Sequence, residues 1–121
     1  MAAMAVEWEQ LIVDAADPIA LGRWWQEALG WVVVHQTDEE FEIRPAPDRK
    51  PGLLFGVSPD EKVGKNRLHI DLRPDDQEAE AERFLALGAR HADVGQTGDE
   101  PWVVLADPEG NEFCILSAPE S

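Results

Sequence analysis

The segment DAADPIALGRWWQEALGW, residues 14–31, has the pattern of a helix that begins directly after a strand. Asp17 is a favourable N-cap, and Pro18 suits the first helical turn, where its missing N–H costs no hydrogen bond. Gly30 supplies a C-terminal stop, and the residues between recur at helical spacing on one face: Leu21, Trp24, Trp25, Ala28 and Leu29. The preceding EQLIVDA, residues 9–15, has the composition of a strand, so the segment predicts a strand–helix unit.

A second segment, DDQEAEAERFLALG at residues 75–88, repeats this pattern. Asp75 or Asp76 is the cap, Gly88 is the stop, and the apolar stripe consists of Ala81, Phe84 and Leu85. The predicted strands around the two helices are WVVVHQT (31–37), FEIRPA (41–46), LLFGVS (53–58), RLHIDLR (67–73), ARHADVG (89–95), WVVLAD (102–107) and EFCILS (112–117). DPEG, residues 107–110, reads as the turn before the last strand. Each half of the chain is therefore predicted to be a strand, a helix and then three strands.

An offset of 59 residues aligns Asp17 with Asp76, Gln10 with His69 and Phe55 with Cys114. We predict one α+β domain over residues 1–121, with a first βαβββ module at 7–58, a linker at 59–66 and a second module at 67–118. A single helix covers only one face of a four-stranded sheet. We therefore expect the two bare sheet faces to enclose a shared cleft, where ligands would bind.

Composition limits the partners and the compartment. The 121 residues carry 25 acidic and 10 basic side chains, a net charge of −15, which disfavours nucleic acid and anionic membrane surfaces. A single cysteine excludes an internal disulfide and fits a reducing compartment. The N-terminal residues lack the features of a secretion signal, and no apolar run is long enough to span a bilayer. We expect a cytoplasmic protein with a small-molecule ligand.

Strand alternation predicts which side chains face the cleft. In RLHIDLR, the helix-packing set is Leu68, Ile70 and Leu72, which leaves Arg67, His69, Asp71 and Arg73 on the cleft side. In EFCILS, the cleft side holds Glu112, Cys114 and Leu116, and in the first strand it holds Trp8, Gln10, Ile12 and Asp14. The phase of LLFGVS is ambiguous, and Phe55 is assigned to the cleft by its alignment with Cys114; the alternative phase presents Gly56.

Several roles remain open at this stage. His69 is a candidate ligand or general base, or a histidine that only hydrogen-bonds Asp71. Cys114 is a reactive thiol or a small buried apolar residue. Trp8 and Trp102 could offer flat walls to an aromatic ligand. The basic cluster of Lys65, Asn66, Arg67 and Arg73 could attract an anionic ligand or form salt bridges with Asp71, Asp75 or Glu61.

The sequence resembles the vicinal oxygen chelate superfamily, and within it the glyoxalase-like domain branch. The resemblance rests on residues 14–31, quoted above, and on KNRLHIDLRPDD (65–76), ALGAR (86–90) and VLADPEGNEFCIL (104–116). It implies paired βαβββ modules, commonly assembled as homodimers. It also implies cleft positions that hold a divalent metal in some members, which correspond here to Gln10, Phe55, His69 and Cys114.

The resemblance leaves the activity open. Phe55 has no donor atom, and Cys114 stands where metal-dependent members usually have Glu, so a complete classical metal site is not expected. One hypothesis is a lyase- or isomerase-type enzyme in which His69 acts as base or ligand and Gln10, Asp71 and Arg73 orient the substrate. The other is non-catalytic sequestration of a hydrophobic or aromatic natural product, as in bleomycin-resistance proteins. A third hypothesis is an accessory domain with a vestigial cleft.

Overall fold

The computed structural model describes residues 6–60, 62–93 and 95–119, which form two compact units that divide between Glu61 and Lys62. The first unit contains β1 (Gln10–Ala15), α1 (Pro18–Leu29), β2 (Val32–Gln36), β3 (Glu40–Arg44) and β4 (Gly52–Val57). The second contains β5 (Ile70–Leu72), α2 (Gln77–Ala86), β6 (Arg90–His91), β7 (Val103–Ala106) and β8 (Glu112–Ile115). Both units have the βαβββ order, which confirms the predicted α+β class.

The two sheets have the same topology. Their strand orders are β1-β4-β3-β2 and β5-β8-β7-β6, so in each unit the first strand pairs with the last strand of that unit. That pairing is parallel, and the pairs β2–β3, β3–β4, β6–β7 and β7–β8 are antiparallel. A helix connects the first strand to the rest of each sheet and covers one face of it.

Both helices begin at the predicted caps. The carboxylates of Asp17 and Asp76 accept hydrogen bonds from Ala20 N–H and Ala79 N–H, each at 3.1 Å. These bonds satisfy an amide that has no partner within its own helix. At the end of α1, Gly30 has φ 69°, a left-handed conformation that favours glycine.

The first unit packs α1 against β3 and β4. Gly22 lies directly over the Phe41 ring, and Phe41 and Ile43 are fully buried beneath the helix. Phe55 is directly opposite Phe41 in the sheet and is also fully buried. It therefore lies on the helix-facing side.

The prediction that Phe55 faces the open side of the sheet is wrong. Phe55 pairs with Val13 of β1, and both side chains lie on the face of the sheet that packs against α1. The open face of β4 presents Leu54 and Gly56 instead. The cause is the offset between the repeats. The pair Ile12–Leu54 in the first sheet corresponds to the pair Asp71–Cys114 in the second. The offset between the units is therefore 59 residues on their first strands and 60 residues on their last strands.

In the second unit α2 packs against β8 through one aromatic contact. The rings of Phe84 and Phe113 lie 5.5 Å apart, and Phe84 is the only buried residue of α2. The predicted strand 67–73 is observed only over Ile70–Leu72, so the expectation that Leu68 packs on the helix is wrong: its side chain is 78% exposed. The predicted strand 89–95 is likewise reduced to Arg90–His91.

The DPEG segment forms the predicted turn between β7 and β8. Asp107 is 1% exposed, and its carboxylate accepts hydrogen bonds from the N–H groups of Glu109 (3.0 Å) and Asn111 (2.9 Å). Gly110 completes the turn with φ 87°. In the parts of the chain that the structure describes, neither helix has the length and apolar character needed to cross a bilayer.

Candidate ligand pocket

The open face of the second sheet carries a pocket of about 490 Å³. Its floor is a row of residues on adjacent strands, because Asp71 of β5 pairs with Cys114 of β8, which pairs with Val104 of β7. The other lining residues come from the segment before β5, from the loop before β7 and from the ends of the strands: Lys65, Asn66, His69, Gly95, Gln96, Glu100, Trp102, Glu112 and Leu116. The alternation predicted for the last strand is observed, since Phe113 faces α2 whereas Cys114 lines the pocket.

His69, Asp71 and Cys114 form a cluster at one side of this floor. His69 Nε2 lies 3.1 Å from Asp71 Oδ1, and both side chains are about half exposed, at 46% and 48%. One donor atom from each of the three residues lies within 4.8 Å of the other two. The sequence places His69 and Asp71 two positions apart, which puts them on one face of an extended segment.

The Cys114 thiol is held in its protonated form. Burial raises the pKa of this thiol, and the negative charge of Asp71 and a hydrogen bond to Asp71 raise it further, while the Lys65 ammonium opposes them. The residue is 7% exposed. The structure thus favours Cys114 as a small buried apolar residue over a reactive thiol, since a reactive cysteine needs a lowered pKa.

An apolar wall lies beside the cluster. Trp102 is 43% exposed although it belongs to the pocket lining, and Val104 and Leu116 continue the apolar surface. An indole at such a position offers a large apolar surface to whatever occupies the pocket. The pocket therefore combines a flat apolar side with a polar side.

The rim of the pocket is fixed by ionic contacts. Glu112 accepts a hydrogen bond from Asn66 N–H at 3.3 Å and pairs with Lys62 Nζ at 3.1 Å. Burial alone would raise the pKa of Glu112, but donation from its own N–H, from Lys62 and from Asn66 outweighs burial and lowers it. Lys62, which the sequence analysis did not single out, therefore ties the segment before β5 to the last strand.

A second carboxylate of the lining organises the loop before β7. Glu100 accepts hydrogen bonds from Thr97 N–H at 2.7 Å and from Gly98 N–H at 2.9 Å. Gln96, beside this turn, donates to the Ala92 carbonyl at 2.7 Å. These residues lie in irregular backbone, so no periodic pattern in the sequence marks them as pocket residues.

Two further residues named from the sequence are Arg73 and Glu61. Arg73 follows the end of β5, is absent from the pocket lining, and donates through Nη1 to the Ser117 carbonyl at 2.7 Å. Its predicted place beside His69 and Asp71 is therefore wrong, because the extended segment ends at Leu72. Glu61, named as a salt-bridge partner, lies outside the described residues.

Trp8, Gln10 and Phe55 belong to the first unit. Trp8 is 65% exposed, and its indole N–H donates to the Gln10 carbonyl at 3.2 Å. Gln10 is half-buried at the start of β1, on the same side of the sheet as Ile12. The structure thus brings together His69, Asp71, Trp102 and Cys114 of the predicted set.

The four-position metal site implied by the resemblance does not fit this donor set. On β4, the position was assigned to Phe55, which has no donor atom and faces the helix, and the open side of that strand presents Leu54 and Gly56 instead. None of these three residues can bind a metal through its side chain. The remaining donors, Gln10, His69 and Cys114, do not match the oxygen and nitrogen set that a classical octahedral site uses.

Comparison with known proteins agrees with this fold. The sequence profile described as the glyoxalase-like domain matches residues 10–116, so the chain belongs to the glyoxalase-like domain family. This family is part of the glyoxalase, bleomycin-resistance and dioxygenase group, the vicinal oxygen chelate superfamily predicted from the sequence. A comparison with curated protein sequences finds no match.

Three solved structures illustrate the range of similar proteins. A glyoxalase/bleomycin resistance protein/dioxygenase family enzyme from Burkholderia phytofirmans PsJN has a TM-score of 0.72 and 18% identity over 91% of this chain and 97% of its own. TnmS3, an antibiotic binding protein from Streptomyces sp. CB03234, has a TM-score of 0.67 and 18% identity over 97% of this chain and 100% of its own. A bleomycin resistance determinant encoded on the transposon Tn5 has a TM-score of 0.62 and 16% identity over 95% of this chain and 100% of its own. At these identities the likeness shows the fold and leaves the function to the site.

Proposed function

We propose that the pocket of the second unit binds a small organic molecule with a flat apolar body and a polar group. The observation that carries this proposal is that the apolar residues Trp102, Val104 and Leu116 line the same space of about 490 Å³ as the polar residues His69 and Asp71. Pockets of this size that are mostly apolar, with a few converging polar groups, are typical small-molecule sites.

The polar side also limits the ligand chemistry. The Asp71 carboxylate can accept a hydrogen bond from a ligand. The His69 imidazole can donate or accept one. Lys65, also in the lining, is the nearby cation and suits a carboxylate or phenolate on the ligand. Antibiotic binding by the similar protein TnmS3 supports sequestration of an aromatic natural product as one form of this function.

A second candidate function is catalysis on the bound molecule by a lyase- or isomerase-type reaction. The ion-pair contact of 3.1 Å between His69 Nε2 and Asp71 Oδ1 favours it, since a neighbouring carboxylate stabilises the charged form of an imidazole during proton transfer. The two functions differ in the fate of the ligand. Sequestration returns it unchanged, whereas catalysis consumes it in a manner that His69→Ala abolishes.

Calorimetric titration with naphthol and naphthoic acid tests the binding proposal. Trp102→Leu should weaken binding about fivefold, because it removes an aromatic contact worth about 1 kcal/mol. Trp8→Leu is the matched control, since Trp8 is also an exposed tryptophan but belongs to the first unit. Equal affinity in Trp102→Leu and the unsubstituted protein, or an equal loss in Trp8→Leu, would contradict binding at this pocket.

A further inference from the structure

We infer that His69, Asp71 and Cys114 form a zinc-binding site within the second unit alone. The donors would be one ring nitrogen of His69, one carboxylate oxygen of Asp71 and Cys114 Sγ, which already lie within 4.8 Å of one another. The inference uses the same pocket as the proposed function but does not require an organic ligand. It differs from the site implied by the family resemblance in using Asp71 and no residue of the first unit.

The geometry needs only a small adjustment. Zinc bonds of about 2.0–2.3 Å at tetrahedral angles place donor atoms about 3.3–3.8 Å apart. The separation of 3.1 Å between His69 Nε2 and Asp71 Oδ1 is close to this range. Because both side chains are about half exposed, rotation about their side-chain bonds can bring them and the thiolate around one ion.

The sheet supplies the rigidity that a metal site needs. Asp71 and Cys114 are directly paired on neighbouring parallel strands, so their separation is set by the backbone ladder. Cys114 lies between Phe113 and Ile115, which are 1% exposed and anchor β8 on its helix-facing side. His69 and Asp71 project from one face of an extended segment, a spacing that lets both reach the same ion.

Charge and donor type favour zinc over harder cations. Asp71 and thiolate Cys114 would together balance the two positive charges of the ion, with a neutral imidazole as the third ligand. A thiolate and an imidazole select zinc, whereas calcium and magnesium prefer oxygen donors. Binding breaks the Cys114 S–H bond, forms the S–Zn bond and releases the proton to solvent; a water molecule then takes the fourth position.

Such a site assigns His69 the role of ligand instead of base. It also assigns Cys114 a role that its protonated, buried state in the metal-free protein does not reveal. The ion and its water would lie in the same pocket as Trp102, since all these residues line the same space. An anionic group of an organic ligand could then replace the water.

Cobalt substitution tests the inference without any assay of activity. Chelator-treated, reduced protein is titrated with Co²⁺, and the sulfur-to-cobalt charge-transfer band in the near ultraviolet is recorded. We expect the band to saturate at one equivalent and to disappear on addition of Zn²⁺. Cys114→Ser should abolish the band. Asp71→Asn should weaken Zn²⁺ binding on the order of 100-fold, because loss of a residue that only orients a metal ligand already weakens binding about 10- to 100-fold.

His35→Ala is the matched control. His35 pairs with Glu40 at 3.1 Å, and the two side chains are 44% and 48% exposed, so this pair matches the separation and exposure of His69 and Asp71 in the first unit without a cysteine. We expect it to leave the cobalt band and the zinc affinity unchanged. Circular dichroism shows whether each variant is folded, and the exposed Asp71→Asn keeps the test decisive if Cys114→Ser does not fold.

Two results would overturn the inference. One is the absence of a charge-transfer band when Co²⁺ is added to concentrated, fully reduced protein. The other is zinc binding that His69→Ala and Asp71→Asn leave unchanged. Titration of the metal-free protein with naphthol and naphthoic acid separates these results from failure of the proposed function, because organic binding is measured there without any metal.

Discussion

Replacement of Gly22 by alanine should destabilise the first unit through one contact. A Cβ at this position would lie 2.3 Å from Phe41 Cδ1, 2.8 Å from Cγ and 3.1 Å from Cβ. Carbon atoms normally approach to about 3.5–4.0 Å, so the ring or the helix must move by more than about 1 Å. Phe41 is 1% exposed, so its ring is enclosed by other protein atoms.

The net magnitude follows from two opposing effects. Overpacking of a filled core costs about 1–3 kcal/mol, and the depth of this overlap places Gly22→Ala at the upper end. Alanine is favoured over glycine inside a helix by about 1 kcal/mol. We therefore expect a net loss of about 1–2 kcal/mol in the free energy of unfolding, which corresponds to a fall in Tm of about 4–8 °C.

Urea denaturation followed by tryptophan fluorescence and circular dichroism measures this loss. Gly56→Ala is the control, because the nearest atom to its added Cβ is Leu54 Cδ2 at 3.8 Å, an ordinary contact. The control should change the free energy of unfolding by less than about 0.5 kcal/mol. A Gly22→Ala protein that is as stable as the unsubstituted one would refute the close packing of α1 on β3.

Two further predictions concern the second unit. The pKa of Glu100 is lowered chiefly by the hydrogen bond from Thr97 N–H, and further by those from the N–H groups of Glu100 and Gly98. Burial opposes this effect. The stabilisation is therefore present above the unfolded pKa of about 4.3 and is lost as pH falls through the lower folded pKa. Amide NMR shifts of Thr97 and Gly98 should titrate with that depressed midpoint and become flat in Glu100→Gln; a midpoint at or above the ordinary glutamate value would contradict the bonding. Asp107→Ala should reduce the free energy of unfolding by about 1–3 kcal/mol in urea denaturation, because the part-buried N–H groups of Glu109 and Asn111 lose their acceptor. The exposed Asp99→Ala serves as its control, and an equal effect of the two substitutions would argue against the turn.

Local signals in the sequence were sufficient for the order of the elements. Both helices carry an aspartate cap, and the first is further marked by Pro18 and the left-handed Gly30. These features act within one helical turn, so they can be read without knowledge of the tertiary structure. The short β5 and β6 were overestimated because apolar residues such as Leu68 resemble strand residues whether or not a partner strand is present.

The pocket was only partly predictable. Alternation around Cys114 and Asp71 correctly indicates the open face of the second sheet, because each residue lies in or beside a strand with a clear period of two. Glu100 and Gln96 come from irregular backbone, where the direction of a side chain depends on hydrogen bonds that no spacing encodes. Lys62 was missed because an isolated lysine has no pattern that distinguishes a rim contact from a solvated surface charge.

The error at Phe55 shows how the two units differ chemically. A fixed offset assumes equal loop lengths, but the pairing of Ile12 with Leu54 and of Asp71 with Cys114 shows that one position is gained before the last strand. A change of one residue turns a strand side chain to the opposite face. With the register corrected, the open face of the first sheet has an isoleucine and a leucine where that of the second has a carboxylate and a thiol. At these two positions the polar groups therefore lie in the second unit, and both the ligand-binding proposal and the zinc site depend on Asp71.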